Sequence, residues 1–319
     1  MRVVAVPMRT RFRGLQVREA ALLRGPHGWA EWSPFLEYGP AEAAAWLRCA
    51  EEAMDGDWPA PVRDRVPVNV TVPAVDPEQA HAIVRAGGCR TAKVKVAETG
   101  QSLADDLARV EAVRDALEVD GPGGQVRVDA NGGWDVETAV VAIAALDRAA
   151  GGLEYVEQPT ASVEDLARVR RRVEVPIAAD ESIRRAEDPY RVRELEAADI
   201  AVLKVQPLGG VRACLEIAER IGLPVVVSSA LETSIGIAAG VALAAALPEL
   251  PHACGLATVQ LLTADVVADP LLPVDGALPV RRPSVDVAQL DLLAAAPDRV
   301  EAWTARLAAV RAVGQDRPR

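Results

Sequence analysis

Only three lysines occur in this chain of 319 residues, although it carries 35 basic side chains. Lys93, Lys95 and Lys204 each stand in an apolar, strand-like segment, where a solvated side chain is out of place. Arginine stays protonated in proteins, whereas a buried lysine can lose its proton and act as a base or a nucleophile. A codon bias toward arginine explains why lysine is rare but not where the three stand, so we interpret them as candidate catalytic residues.

Three acidic residues directly follow apolar runs, and they are Asp129, Glu157 and Asp180. They are spaced by about one helix plus one strand, so successive parallel strands would bring one carboxylate each to the same end of a sheet. Converging carboxylates repel one another unless a cation lies among them, and all-oxygen ligation suits Mg²⁺, with Mn²⁺ as an alternative ion. Each acid alone is also explained as the N-cap of the next helix, but caps do not require lysines nearby.

The spacing of Lys93 and Lys95 predicts that both side chains point to the same face of one strand. A cation and the neighbouring Lys93 would both lower the pKa of Lys95 and give a free amine near neutral pH. Such an amine can remove a proton next to a carboxylate if a metal ion stabilises the enolate that results. The sequence therefore predicts metal-assisted proton abstraction.

Short apolar runs alternate with longer amphipathic stretches from about residue 67 onward. Strands are expected at 68–72, 92–96, 126–129, 155–157, 177–179, 200–205, 225–228 and 254–256. Helices are expected at 102–118, 136–150, 163–172, 189–197 and 211–221, with Ser102 and Ser162 as N-caps. Nearly continuous apolar strands indicate a parallel sheet covered on its outside, and at this length a closed barrel fits better than an open sheet.

The predicted fold is α/β, a TIM-type (β/α)7β barrel with a small α+β capping domain. Residues 1–66 hold most of the aromatic side chains and are expected to form the N-terminal capping domain. Residues 67–284 are expected to form the barrel with the active site, and residues 285–319 to return to the cap. Two patches of the cap, 11–14 and 31–35, are interpreted as loops.

Composition excludes several classes of partner. The 35 basic and 46 acidic residues give a net charge of −11, which disfavours binding to nucleic acid or to an anionic membrane. The longest apolar stretch, 235–247, is too short to cross a bilayer and suits a buried helix. The first residues lack a signal-peptide pattern, and the four scattered cysteines indicate neither disulfides nor zinc, so a cytoplasmic location is expected.

The ordered set of strand-end motifs resembles the enolase superfamily, in its muconate-lactonizing-enzyme-like branch. These motifs are Lys93-Val94-Lys95, Asp129-Ala130-Asn131, Glu157-Gln158-Pro159, Asp180-Glu181-Ser182 and Lys204. The stretches 228–236 and 31–35 narrow the resemblance to the o-succinylbenzoate synthase family, the dehydratases of menaquinone biosynthesis. The resemblance covers nearly the whole chain.

The resemblance implies a role for each charged residue. The carboxylates that would bind Mg²⁺ are Asp129, Glu157 and Asp180. Lys95 would act as the base and then as the acid that assists loss of hydroxide on the same face. Lys204 would stabilise the anionic intermediate from the opposite side, and Lys93 would tune Lys95. The expected substrate is a small carboxylate, 2-succinyl-6-hydroxy-2,4-cyclohexadiene-1-carboxylate, and the product is 2-succinylbenzoate.

The resemblance also suggests substrate contacts. Ser228 and Ser229 are expected to approach the succinyl carboxylate, and Arg11 or Arg13 in the cap could close over the substrate. Dipeptide epimerases of this branch carry an Asp-x-Asp motif after the eighth strand, where this chain has the Gly-Leu-Ala-Thr of residues 255–258. Dipeptide epimerisation is therefore not expected.

Three alternatives remain open from the sequence. The first is an N-acylamino acid racemase, or an enzyme with both activities, in the same fold. The second is a Schiff-base aldolase that uses Lys204 and needs no metal ion. The third is a barrel retained as a non-catalytic scaffold, which would leave the lysines and carboxylates without a purpose. The sequence leaves the oligomeric state open.

Overall fold

An antiparallel sheet and one helix form the N-terminal part of the chain. The computed structural model describes residues 1–56, 58–185 and 188–315. The elements are β1 (Arg2–Phe12), β2 (Leu15–Gly25), β3 (Gly28–Trp32) and α1 (Pro40–Asp55). Both patches that the sequence suggested as loops are partly strand, because Phe12 pairs with Leu15 and Glu31 pairs with Leu22. Within these two patches, the residues outside the strands are the tight turn at 13–14 and the segment 33–35.

A seven-stranded parallel sheet follows a short strand, β4 (Arg65–Pro67). Its strands are β5 (Val70–Val72), β6 (Thr91–Lys95), β7 (Gln125–Asp129), β8 (Leu153–Glu157), β9 (Ile177–Ala179), β10 (Ile200–Lys204) and β11 (Val225–Ser228). They are hydrogen-bonded in chain order, so each strand pairs with the next one along the chain. All seven overlap strands expected from the sequence.

The expected eighth strand, 254–256, is present only as single-residue bridges. Cys254 bridges to Val68, and Gly255 bridges to Ser228, both in parallel. The hydrogen bonds are Asn69 N to Cys254 O at 3.0 Å and Gly255 N to Val227 O at 2.8 Å. The segment is too short for a ladder because a 3-10 helix begins at Ala257. It nevertheless contacts the chain at both edges of the sheet.

Helices connect the strands and cover the outside of the sheet. They are α2 (Pro77–Gly87), α3 (Leu103–Glu118), α4 (Val136–Ala150), α5 (Val163–Arg170), α6 (Glu181–Arg184), α7 (Arg191–Glu194), α8 (Val205–Leu208), α9 (Val211–Ile221), α10 (Ser234–Ala246) and the 3-10 helix Ala257–Leu261. Ser102 and Ser162 are N-caps, as expected. The helix expected at 189–197 is confined to α7, because the left-handed backbone of Glu196 (φ 49°) ends it.

The C-terminal part of the chain packs against the first three strands. Strand β12 (Ala277–Pro279) pairs with β4, and α11 (Val287–Leu292) and α12 (Pro297–Gln315) follow. Trp303 of α12 meets Trp32 edge-on, with ring centroids 5.3 Å apart. Arg299 forms an ion pair with Glu19 at 2.7 Å. The last four positions of the expected segment 285–319 lie outside the described residues.

The core has two main parts, one under the cap and one between the sheet and its helices. A smaller cluster within the sheet is formed by residues of β8 to β11, namely Tyr155, Ala178, Ile200, Val202 and Val226. Helix α10 is largely buried, as its Ala and Gly content predicted. In the described part of the chain, no helix has the length and apolar character needed to cross a membrane.

Candidate active site

The ends of three neighbouring strands bring two lysines and two carboxylates together. The register of β6, β7 and β8 places Lys95, Asp129 and Glu157 side by side. Lys93 Nζ donates to Asp129 Oδ2 and to both oxygens of Glu157, each at 3.0 Å. Lys95 Nζ donates to the same Asp129 oxygen at 2.6 Å. The four side chains form one buried, charge-alternating group, and both lysines point to the same face.

A second charged group lies at the ends of β9 and β10. Lys204 Nζ donates to Asp180 Oδ2 at 2.5 Å, and Arg184 Nε donates to Asp180 Oδ1 at 2.8 Å. The same guanidinium donates to Glu181 at 2.5 Å and to the hydroxyl of Tyr38 in the cap at 2.9 Å. Both oxygens of Asp180 are therefore held by cations, and Arg184 links this carboxylate to the cap.

Two side chains with left-handed backbone conformations fix the turns after the strands. Asn131 (φ 46°) accepts a hydrogen bond from Lys95 Nζ at 2.6 Å. Gln158 (φ 40°) accepts hydrogen bonds from the backbone N–H groups of Asp180, at 3.0 Å, and Ser182, at 3.1 Å. The sequence showed both residues in the strand-end motifs but assigned no role to them. Their hydrogen bonds hold the strand ends in place.

The two lysines of β6 differ in basicity. Burial lowers the pKa of Lys93, but the adjacent carboxylates of Asp129 and Glu157 outweigh it, and the pKa lies well above its ordinary value. Burial also lowers the pKa of Lys95, Asp129 only partly opposes it, and the positive charge of Lys93 adds to it. The net pKa of Lys95 is below its ordinary value. Lys95 is therefore the amine that is more easily freed of its proton.

The carboxylates also titrate differently. Burial raises the pKa of Asp129, but Lys93 and Lys95 outweigh it and hold the pKa well below its usual range. Burial and the negative charge of Asp129 raise the pKa of Glu157 to about 7, against the opposing charge of Lys93. Burial raises the pKa of Asp180, but the charges of Arg184 and Lys204 bring it below its usual value. Of these three carboxylates, Glu157 is the one whose negative charge is least compensated by neighbouring cations.

The donor set fits a divalent cation. Asp129, Glu157 and Asp180 are each at most 1% exposed, and they stand at the ends of three adjacent strands. Within the described ranges no three side chains are preassembled around an ion position, since the lysines hold these carboxylates in ion pairs. Binding an ion requires that the carboxylates exchange lysine contacts for metal bonds. Glu157 must be ionised to bind the ion, and a cation at this position would stabilise the ionised form against the effect of burial.

A cavity lies directly above these charged groups. Its lining includes Lys93, Lys95 and Lys204, together with the serines Ser228 and Ser229 that the sequence suggested. Ser229 Oγ and Thr258 Oγ1 are hydrogen-bonded at 2.8 Å. The structure therefore brings the three lysines and the two serines to one site.

The cap contributes part of the cavity wall. Arg13 lines the cavity, and its guanidinium lies over the ring of Phe35, with the carbon Cζ 4.3 Å from the ring centroid. Arg11 is exposed and is not among the described residues that line the cavity. The expected contact of Arg11 with a substrate therefore has no support in this arrangement, whereas that of Arg13 fits.

The sequence interpretation missed several lining residues. They are Phe12 and Phe35, from the two patches interpreted as loops, together with Thr71, Ala230, Leu231, Gly255 and Thr258. Gly255 is close to Ser228: a Cβ atom there would lie 2.7 Å from Ser228 Oγ. A side chain at position 255 would thus displace Ser228.

Two family models match the chain. The model described as enolase N-terminal domain-like matches residues 3–54, and the one described as enolase C-terminal domain-like matches residues 76–284. An o-succinylbenzoate synthase of Thermobifida fusca is 68% identical over 98% of this chain and 96% of its own length. An o-succinylbenzoate synthase of Mycolicibacterium smegmatis is 59% identical over 98% of this chain and 95% of its own length.

Solved structures share the fold at lower identity. A muconate lactonizing enzyme from Pseudomonas fluorescens, complexed with muconolactone, superposes with a TM-score of 0.78 at 24% identity, over 92% of this chain and 97% of its own. The L-Ala-D/L-Glu epimerase from Bacillus subtilis gives a TM-score of 0.74 at 23% identity, over 89% of this chain and 95% of its own. At these identities the likeness concerns the fold alone.

Proposed function

The chain belongs to the o-succinylbenzoate synthase family within the enolase superfamily, and on this premise we propose how its residues carry out the reaction. The enzyme is a dehydratase, a carbon–oxygen lyase of menaquinone biosynthesis. It removes water from 2-succinyl-6-hydroxy-2,4-cyclohexadiene-1-carboxylate and forms 2-succinylbenzoate. The observation that carries the assignment of residues is that Lys95, with its lowered pKa, lies against Asp129 in a cavity that Lys204 also lines.

Lys95 is the base in this proposal. Its free amine takes the proton from the carbon that bears the ring carboxylate, and the electron pair of that C–H bond passes into the carboxylate. The same group, now protonated, returns the proton to the hydroxyl that leaves, so the C–O bond breaks and water departs as the ring becomes aromatic. One lysine on one face is sufficient, because the proton that it takes is the proton that it gives back.

Lys204 acts from the other side. Strands β7, β8 and β9, which carry the carboxylates, lie between β6 with Lys95 and β10 with Lys204. The ammonium group of Lys204 therefore stabilises the negative charge that develops when the proton is removed. Lys93 stays protonated, in keeping with its raised pKa, and its charge keeps the pKa of Lys95 low.

Membership in the superfamily implies a divalent metal ion, and we propose Mg²⁺, with Mn²⁺ as a substitute. Asp129, Glu157 and Asp180 would hold it through their carboxylate oxygens. When bound, the ion supplies positive charge that stabilises the carboxylate of the intermediate. Hard oxygen donors at buried strand ends support this choice.

Two further proposals concern the closure of the barrel and the domain boundaries of this α/β enolase-type architecture. We propose that the bridges of Cys254 and Gly255 close the sheet into a (β/α)7β barrel. We also propose residues 1–66 as the capping domain, 67–284 as the barrel, and 285–319 as the segment that returns to the cap. Support comes from the packing of α12 against β1 and α1. The substrate is a small carboxylate, which Ser228, Ser229 and Arg13 would contact.

Racemisation of N-acylamino acids is a second candidate activity, because Lys95 of β6 and Lys204 of β10 line the same cavity. Racemisation needs a proton donor or acceptor on each face, whereas dehydration needs only Lys95. Replacing Lys204 by Arg keeps the charge and removes the ability to deprotonate. We expect this variant to retain measurable dehydration but to lose racemisation.

Replacing Lys95 by Arg should lower the rate of dehydration by about a thousandfold, since that is the usual contribution of a general base. Both reactions are measured on the same preparations of the wild type, Lys95→Arg and Lys204→Arg, with circular dichroism as a check of folding. Efficient dehydration by Lys95→Arg would show that the base is another group. If Lys204→Arg lost dehydration and Lys95→Arg did not, Lys204 would be the base and Lys95 the stabilising cation.

A further inference from the structure

A buried arginine of the cap holds the wall of the cavity. Arg18 of β2 is 3% exposed. Its guanidinium donates to the backbone carbonyls of Leu231, at 2.9 Å, and Ala230, at 3.3 Å, in the loop after β11. It also donates to the carbonyl of Ser33 in the cap. One side chain thus joins two segments that are far apart in the sequence, and Ala230 and Leu231 line the cavity.

The same guanidinium packs on an aromatic ring of the cavity wall. Arg18 Cζ lies 4.5 Å from the ring centroid of Phe35, and Arg13 Cζ lies 4.3 Å from it. The ring is 4% exposed, and it meets Tyr38 and Trp46 edge-on. Contacts of this kind attract the guanidinium to the face of the ring, and this attraction adds to the packing of the ring against its aromatic neighbours.

Within the described part of the chain, no carboxylate lies within 4.0 Å of the Arg18 guanidinium. The charges of Glu31 and Glu232 are nevertheless near enough to raise the pKa of Arg18 against the effect of burial. A buried guanidinium is costly to desolvate unless its donors are satisfied. Here backbone carbonyls satisfy them, and those carbonyls belong to the two segments that carry Phe35 and Leu231. A simple ion pair would stabilise the fold without fixing these segments.

We propose that Arg18 is a positioning residue that sets the fit between the substrate and the cap-side wall formed by Phe35, Ala230 and Leu231. The guanidinium holds the 33–35 segment and the 230–231 segment at a fixed separation, and so fixes the width of the cavity below them. This inference rests on the proposed function, because that cavity is taken as the substrate site. Arg18 touches neither the lysines nor the carboxylates, so its effect is on binding.

The test is the variant Arg18→Lys, which keeps the charge but cannot donate to three carbonyls in a plane. KM for the cyclohexadiene substrate should rise, and affinity for 2-succinylbenzoate should fall, each by about tenfold, the change that 1.4 kcal/mol of binding energy produces. We expect kcat to stay within about threefold, since Lys95 is untouched. Calorimetric titration with 2-succinylbenzoate measures the affinity directly.

Arg63→Lys is the matched control. Arg63 also donates to backbone carbonyls, those of Ala244, Leu247 and Pro248, but at the far end of α10 from the cavity. It should lose thermal stability while KM and product affinity stay at their wild-type values. A further variant, Arg18→Ala, should regain product affinity when guanidinium ion is added at millimolar concentration. A free guanidinium ion can occupy the place of the missing Arg18 side chain and donate to the same carbonyls.

The outcomes separate this inference from the proposed function. If the wild type forms no 2-succinylbenzoate, the proposed function has failed. If the wild type is active and Arg18→Lys keeps its KM and product affinity while losing only thermal stability, Arg18 has a purely structural role and the inference is wrong. Equal losses of affinity in Arg18→Lys and Arg63→Lys would also overturn it.

Discussion

At the scale of single residues, charge partners rather than burial alone decide which side chain can react. Lys93 and Lys95 are both buried on one strand, yet the pKa of one is raised and that of the other lowered. The difference follows from their partners, since Lys93 contacts two carboxylates and Lys95 contacts one carboxylate and an amide. A scan for lysines alone predicted the site, but their unequal basicity depends on contacts across three strands.

A second titratable residue lies between the cap and the sheet. Burial raises the pKa of Glu232 from its ordinary 4.5 to about 7, the neighbouring Glu31 adds to the rise, and Arg18 opposes it. A carboxyl group with a raised pKa favours the folded state while it is protonated. Its stabilising contribution is therefore complete below the unfolded pKa and is lost as pH rises through the folded pKa.

We therefore predict that the wild type loses about 3 kcal/mol of stability, relative to Glu232→Gln, between about pH 5 and about pH 8. Urea unfolding of both proteins at several pH values measures the difference. Part of the pH dependence should remain in the variant, because burial also raises the pKa of Glu31. Parallel stability curves for the two proteins would contradict the prediction.

At the scale of elements, residues at different positions along one strand have different tasks. The carboxyl ends carry the groups that we propose to be reactive, whereas a fully buried arginine lies farther back along β7. Arg127, two residues before Asp129, donates to Glu154 at 2.9 Å, to the Tyr155 hydroxyl at 2.9 Å and to the carbonyl of Ala253 at 2.7 Å. In folds of this kind such residues serve stability rather than chemistry.

Replacing Arg127 by Met should lower the free energy of unfolding by about 3–5 kcal/mol, because it breaks a buried pair, removes the donor to the Tyr155 hydroxyl and leaves Glu154 with His252 as its remaining side-chain partner among the described residues. The surface pair of Arg172 with Glu137 supplies the control, and Arg172→Met should cost at most about 1 kcal/mol. Urea unfolding measures both variants. The kcat of Arg127→Met, measured where it is folded, should match that of the wild type. A loss no larger than that of Arg172→Met would refute this role.

Local sequence patterns predicted the strands and their ends well, because apolar runs followed by Asp129, Glu157 or Asp180 are visible in the chain itself. The patterns failed where contacts between particular residues, rather than local composition, decide the structure. The 11–14 patch is partly strand because Phe12 pairs with Leu15, which no composition reveals. Arg18 is one arginine among many in the sequence, and only its contact with the 230–231 segment distinguishes it.

At the scale of the whole molecule, the cap and the sheet line one cavity together. The cap contributes Phe12, Arg13 and Phe35 to the cavity wall, and the strand ends contribute the lysines and the serines. Glu31 of the cap accepts hydrogen bonds from the N–H groups of Thr233, at 3.0 Å, and Gly236, at 3.2 Å, at the start of α10. This arrangement was outside the reach of sequence patterns, because the partners are about two hundred residues apart.

The rate of 2-succinylbenzoate formation, with and without a chelator, tests the central claim most directly. Purified protein with Mg²⁺ should convert the cyclohexadiene substrate to 2-succinylbenzoate, whose aromatic ring gives a spectroscopic signal. Excess chelator should abolish this activity, and added Mg²⁺ or Mn²⁺ should restore it, because in our proposal the carboxylates of Asp129, Glu157 and Asp180 hold an ion that stabilises the developing charge. Full activity in excess chelator would contradict a metal-assisted dehydratase at Asp129, Glu157 and Asp180.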